Sequence, residues 1–236
     1  MDSTAQKSFS PPAPSFAGVV ASVFEDRLRS RVWWREVSKR GVDLVLVVLV
    51  GGLALPLIAV IAAMIKLSDF GPVFYADERI GREGRRIFIY KFRTMVRDAD
   101  AALARCLRED PQRRREWREH QKLRDDPRVT RLGRVLRCLS LDELPQVWNV
   151  LRGEMSFVGP RPILVEEAGR YGRVYDLYTR VKPGITGLWQ VSGRNETPYR
   201  HRVFLAAYYV RNWTFLLDLY IVARTPAAVL GRRGAY

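Results

Sequence analysis

Two adjacent carboxylates, Asp142 and Glu143, open the stretch SLDELPQVWNVLRGEMSFVGPRP at residues 140–162. An ionised carboxylate among cationic groups can ligate magnesium, or attack a phosphorus atom as a nucleophile. The same residues can serve a plainer end, because Ser140 followed three residues on by Glu143 has the spacing of a capping box. Pro145 opposes that register: it would fall at the fifth helical position, where its absent N–H is needed. A helix that starts at Asp142 or Glu143 instead puts Pro145 in the first turn. It also gathers Leu144, Val147, Trp148 and Leu151 on one buried face and ends at Gly153. In that placement the helix dipole lowers the carboxylate pKa values, and Arg131, Arg134 and Arg137 push the same way from the preceding helix. Cap and catalyst are both open readings of these residues.

Groups suited to anions follow. Arg161 stands between Pro160 and Pro162, a rigid mount for a guanidinium that binds phosphate. VKPGITGLWQVSGRN adds Lys182 and Arg194, with Gly184, Gly187 and Gly193 as a loop approaching a phosphate closely would need. Together they describe an anion pocket built of loops around one acid pair. The chain has only 2 histidines, which argues against a zinc site, so any metal would be held by oxygen.

Such groups need elements to position them. Of the 236 residues 47% are hydrophobic, too many for a disordered chain, and the length suits one sizeable domain plus an appendage. Residues 1–30, rich in Ser, Pro and Ala, read as a flexible tail, and the apolar core begins too late for a signal peptide. From Val42 to Ile65 the only charge is Asp43. At about 1.5 Å per residue the segment could cross a hydrocarbon core of about 30 Å. Pro56 in its middle and basic residues on both flanks (Arg27, Arg29, Arg31, Arg35, Lys39 and Arg40 before it, Lys66 and Arg79 after) favour re-entry on one face over an ordinary span. PVFYADERIGREGRRIFIYKFRTM alternates like a β-hairpin turning near Gly81 and Gly84. Residues 98–123 read as charged helix broken at Pro111, and Thr130 caps a helix carrying Leu132, Val135, Leu136 and Leu139. Residues 200–230 set Tyr208, Tyr209, Trp213 and Phe215 among arginines, which fits a membrane surface or an ordinary core helix with a solvated face. Cys106 and Cys138 look like reduced thiols.

Five stretches occur in order: KFRTM, DPRVTRLGRVLR, SLDELPQVWNVLRGEMSFVGPRP, KPGITGLWQVSGR and YYVRNWTFLLDLYI. They resemble the bacterial sugar transferase family, the monotopic polyprenyl-phosphate hexose-1-phosphate transferases, over about residues 36–236. The likeness is greatest to the short exopolysaccharide-initiating members. The resemblance implies an α+β fold, with a mostly helical cytoplasmic catalytic domain at 67–236 that contains a small hairpin. A re-entrant membrane helix at 31–66, broken near Pro56, and C-terminal amphipathic interfacial helices complete it. It implies that Asp142 takes the sugar phosphate from a UDP-hexose while UMP leaves, that Glu143 assists, and that Mg2+ bound at Asp142 neutralises the diphosphate. Undecaprenyl phosphate would then carry the sugar phosphate away. Arg137 and Arg161 match positions near the phosphates, and Lys182 and Arg194 join them as phosphate or uridine contacts. Asp218 matches an acid close to the active site, with a salt bridge to Arg211 or Arg224 as the alternative. The expected location is the cytoplasmic face of the cytoplasmic membrane, with the bilayer as a partner, and the terminal GRRGAY could mediate a homodimer. Two positions depart from the family: Leu55 replaces a frequent serine before the proline, and Ala206 replaces a common acid.

Other function classes compete. A net charge of +15 permits a membrane-anchored nucleic-acid-binding protein, but the arginines are spread through loops beside acids, so no nucleic-acid partner is expected. A catalytically retired scaffold for polysaccharide assembly is the other alternative, with Ala206 as its hint.

Overall fold

The structure, a computed structural model, describes residues 36–120, 123, 125–193 and 198–231. The chain divides into Met1–Gly41, of which residues 36–41 are described and helical, and a unit from Val42 to Tyr236. The tail expected over 1–30, the flanking Arg27, Arg29, Arg31 and Arg35, and most of GRRGAY lie outside the described residues.

In the second unit a π-helical turn at Val47–Gly51 leads into α1 (Gly52–Asp69). The sequence suggested a break near Pro56; the helix instead continues through Pro56, and the irregularity falls in the turn before it. Proline has no N–H for the Gly52 carbonyl and its ring presses on that group, so a wide turn upstream takes up the mismatch. Glu36–Asp69 is the one helix among the described residues long and apolar enough to cross a membrane. Only 11% of its apolar window is buried, whereas the core helix of a soluble protein would be mostly covered. Ile61 and Ile65 pack on Phe92 and Leu136, while Leu53 and Leu67 stay exposed, as does Leu55. Asp43 is buried and accepts hydrogen bonds from Ser156 Oγ and the Phe157 N–H, both at 2.9 Å. The one charge in the apolar segment therefore ties it to the domain.

The hairpin forms as its alternation requires: β1 (Phe74–Ile80) pairs antiparallel with β2 (Arg86–Phe92), Tyr75 opposite Lys91. The charged helix does break at Pro111. Helices α2 (Ala99–Glu109) and α3 (Pro111–His120) flank Asp110, whose carboxylate accepts from the N–H groups of Gln112 and Arg113 at 2.8 and 3.1 Å. Asp110 caps and Pro111 takes the first position, where no donor is needed. Thr130 caps α4 (Arg131–Cys138), its Oγ1 accepting from the Gly133 N–H at 2.9 Å.

After α4 the structure corrects the expected helix start. Ser140, with φ of 53°, turns the chain, and Leu141–Gln146 forms a 3-10 turn before α5 (Val147–Arg152), which Gly153 closes at φ 79°. Pro145 is thus tolerated late in a tight turn rather than in the first turn of an α-helix. The buried face shifts with it: Trp148 and Leu151 are exposed, and Gln146, Asn149 and Val150 are buried. Three residues per turn instead of 3.6 rotate the phase on which the sequence reading relied.

Strands β3 (Ser156–Val158) and β4 (Gly184–Thr186) pair in parallel, enclosing α6 (Ala168–Tyr171) and α7 (Tyr175–Tyr178) between them in the chain. Then come α8 (Leu188–Val191), α9 (Tyr199–Arg211) and α10 (Phe215–Leu230). The core joins Ile89, Val150, Met155, Phe157, Val158, Tyr209 and Ile221. The last two helices have a buried and an exposed set of apolar residues. Tyr209 and Ile221 are buried, while Phe204, Tyr208, Leu216, Leu219 and Tyr220 form an exposed apolar side. Mostly helical with two small sheets among the described residues, the fold is α+β as expected. Both cysteines are free.

Candidate active site

Backbone pairing brings the two loop motifs together. The Gly159 N–H donates to Thr186 O at 2.9 Å and the Gly184 N–H to Pro160 O at 2.8 Å. This corrects the reading of the glycines. A Cβ on Gly184 would lie 2.1 Å from Gly159 N, and one on Gly187 2.0 Å from Gly159 O. The close approach these two permit is to another stretch of backbone, not to a phosphate. Lys182 belongs to the same junction, its carbonyl oxygen 2.7 Å from where a Gly159 Cβ would be. The buried Tyr178 hydroxyl sits 3.0 Å from Ile80 O, 3.3 Å from Arg161 O and 3.3 Å from Ile163 N, pinning the PRP turn to the hairpin.

Arg161, so mounted, lies against the acid pair, Nη1 3.7 Å from Glu143 Oε1. Lys91 Nζ donates to the same carboxylate at 3.1 Å. Burial works to raise the Glu143 carboxyl, but Lys91 and then Arg161 outweigh it and hold the group well below the usual range, at about 2. Asp142 moves the other way. Burial, and then the charge of Glu143, push its carboxyl up to about 6, against the pull of Lys91 and Arg137. At least one acid of the pair stays ionised, as expected, and it is Glu143; the lowering does not extend to Asp142, where burial and the neighbouring Glu143 charge win. Of the three arginines on α4, Arg137 acts on Asp142 and anchors on Thr94, Nε to Oγ1 at 2.9 Å. Arg134 instead pairs in the open with Asp125 at 3.3 Å, and Arg131 is exposed.

Asp218 is buried, accepting from the Tyr209 hydroxyl at 2.7 Å and Trp213 Nε1 at 2.9 Å, partners the sequence reading did not name. Burial, reinforced by Asp218, keeps the Tyr209 hydroxyl protonated, and that hydroxyl also lies 3.1 Å from Val158 O, just ahead of Gly159. Asp218 therefore fixes Tyr209 and Trp213, with the Tyr209 hydroxyl set beside the strand that leads into the PRP turn. Pro56 lies in α1, and Arg194 falls outside the described residues. Ala206 is buried against Ile80, Ile163, Tyr171 and Tyr178.

Sequence reasoning missed Lys91. Its signal was there: Ile87, Ile89 and Lys91 alternate along β2, so the lysine continues an inward-facing row inside KFRTM. Asn149 was missed as well. Wholly buried, it accepts from the Tyr90 N–H at 3.0 Å and donates to Phe88 O and Glu154 Oε2, both at 2.7 Å, fastening β2 to α5. Among the described residues no group of three or more His, Cys, Asp or Glu could hold a metal. A magnesium ion here would have Asp142 as its protein ligand and would complete its sphere with substrate phosphates and water, a donor set that suits this ion.

A sequence model of the family described as bacterial sugar transferase matches residues 34–232. The chain is 46% identical over 200 residues to the exopolysaccharide production protein ExoY of Sinorhizobium fredii, covering 85% of this chain and 88% of that protein. It is 48% identical over 198 residues to the UDP-galactose-lipid carrier transferase of Erwinia amylovora, covering 84% of this chain and 41% of that one. Against the undecaprenyl-phosphate galactose phosphotransferase of Salmonella typhimurium the identity is 46% over 198 residues, 84% of this chain and 41% of that one. The chain thus spans most of the short relative and about two fifths of the longer two.

Proposed function

The chain belongs to the bacterial sugar transferase family, and we propose that it moves a hexose 1-phosphate from a UDP-hexose to undecaprenyl phosphate in exopolysaccharide synthesis. One observation carries the reading: Lys91 and Arg161 engage Glu143, which leaves Asp142 as the carboxylate of the pair to meet a substrate. An Asp142 oxygen attacks the phosphorus that bears the hexose; the anhydride bond breaks and UMP departs with its electron pair. An oxygen of undecaprenyl phosphate then attacks that phosphorus and the Asp142 carboxylate leaves. One phosphoanhydride replaces another, so no further energy source is required. Arg161 and Arg137 hold phosphate oxygens from either side of the pair, and Glu143, kept ionised, orients Lys91 and Arg161 toward them. Bound magnesium supplies charge neutralisation for the diphosphate. The half-buried setting of Asp142 limits water, which would otherwise hydrolyse the aspartyl intermediate.

The exposed apolar side of α1 supports membrane association. The basic residues on both flanks of the apolar segment are what favour a re-entrant seat, which would put the site at the cytoplasmic lipid surface where the acceptor lies. The test is direct. Purified protein given UDP-galactose or UDP-glucose, magnesium and undecaprenyl phosphate releases UMP, and a labelled donor without acceptor leaves label on Asp142. Silence with every UDP-hexose overturns the reaction; product formation without any adduct at residue 142 overturns the covalent step.

A further inference from the structure

Beside Arg161, the PRP turn, α8 and α9 form a pocket lined by Glu167, Trp189, Gln190, Tyr199, Arg202 and Ala206. Three of its polar atoms are buried without a hydrogen-bond partner: Trp189 Nε1, Gln190 Oε1 and the Tyr199 hydroxyl. Buried polar groups are nearly always satisfied, so three orphans on one pocket mark a place that a ligand completes. Their chemistry is mixed: an N–H that donates, a carbonyl that accepts, and a hydroxyl that does either. Trp189 itself is only 8% exposed. The guanidinium groups of Arg161 and Arg202 already lie over its ring, at 5.4 and 4.8 Å from the centroid, so its polar edge is what it offers.

We infer that this pocket receives the hexose of the donor and reads its hydroxyl groups. The inference rests on the donor reaction proposed above and names the part of the donor that this pocket takes. A hexose hydroxyl donates and accepts at once, matching a mixed set of orphans. A planar base would look for an open aromatic face, and Trp189's ring is occupied. Arg161 connects the two places: the guanidinium beside Glu143 is also the one over Trp189, so a phosphate held there has its hexose ester beside the pocket. A site built to bond a hydroxyl discriminates strongly against a sugar that lacks it or points it elsewhere, because its own buried groups are then left unpaired. Ala206 lines this same pocket.

Full-length protein in lipid nanodiscs should be titrated calorimetrically with galactose 1-phosphate, glucose 1-phosphate and UMP, as wild type, Tyr199→Phe and Trp189→Phe. Tyr199→Phe removes only an unpaired hydroxyl, so it keeps the fold, and Trp189→Phe is a second, independent probe. Each variant is expected to weaken binding of the preferred hexose 1-phosphate at least tenfold and to leave UMP binding within about twofold. With UDP-hexoses, the kcat/KM ratio between galactose and glucose should narrow at least fivefold. Equal loss of UMP binding would make the pocket a nucleotide site and overturn the inference; so would unchanged hexose 1-phosphate binding, or none by the wild type. Wild-type protein that binds hexose 1-phosphate in this way yet releases no UMP would sink the proposed reaction and leave the subsite standing.

Discussion

At the scale of single residues, the two carboxyls of the acid pair are shifted in opposite directions: Asp142 up by burial and then by Glu143, and Glu143, against its own burial, down by Lys91 and Arg161. If Asp142 is the nucleophile of the proposed reaction, Asp142→Asn reduces UMP release at least a thousandfold, measured by coupled nucleotide assay, since an amide cannot form the acyl phosphate. The same variant should be more stable than the parent at pH 8. The folded Asp142 carboxyl titrates near 6 rather than 3.8, so the fold holds a proton that the unfolded chain has released between those values. Stability therefore falls as pH rises from about 4 to about 6, and the deficit is complete above that. The advantage of Asp142→Asn, read as a difference in Tm, should vanish near pH 4. Glu143 has the opposite sign: its stabilisation is present above about pH 4.5 and is lost as pH falls toward 2. Lys91→Met leaves that buried carboxylate without its nearest cation, and UMP release should fall at least tenfold. An unaffected rate would mean that Glu143 needs no ammonium beside it.

At the scale of elements, β2 and α5 are fastened by one side chain. Asn149→Leu strips three hydrogen bonds from the Tyr90 N–H, the Phe88 carbonyl and Glu154. The expected loss is about 3 kcal/mol, a fall in Tm of roughly 6–12 °C, with activity falling in parallel because Lys91 rides on β2 and Glu143 on the 3-10 turn that leads into α5. A Tm within about 2 °C of the parent would show that the link is dispensable. The elements were legible where their signals were local. The hairpin announced itself by alternation, the α2–α3 break by Pro111, and the α4 start by Thr130. The entry to α5 was not. A 3-10 turn and an α-helix accept almost the same residues, and which forms at Leu141–Gln146 depends on what the hairpin packs against it.

At the scale of the whole molecule, the exposed apolar residues of α1 and of α9 and α10 lack cover among the described residues. A bilayer approached from one face would provide it without a span. A cysteine introduced near residue 20 should stay unlabelled by an impermeant maleimide added to intact cells, and become labelled once the membrane is opened. Labelling in intact cells would require the apolar segment to cross.

By itself the sequence determined the chemistry on offer: an acid pair, its loop-borne cations, one long apolar segment and the order in which they come. Motifs of this kind are runs of neighbouring residues, so their identity survives without any knowledge of the fold. Tertiary structure decided the partnerships. Lys91 meets Glu143 across 52 positions, Gly184 and Gly187 serve the backbone of Gly159 rather than a phosphate, and Asp218 braces Tyr209 and Trp213. Which carboxylate stays charged follows from those distances and from burial. Both are properties of packed elements, set by contacts between distant parts of the chain.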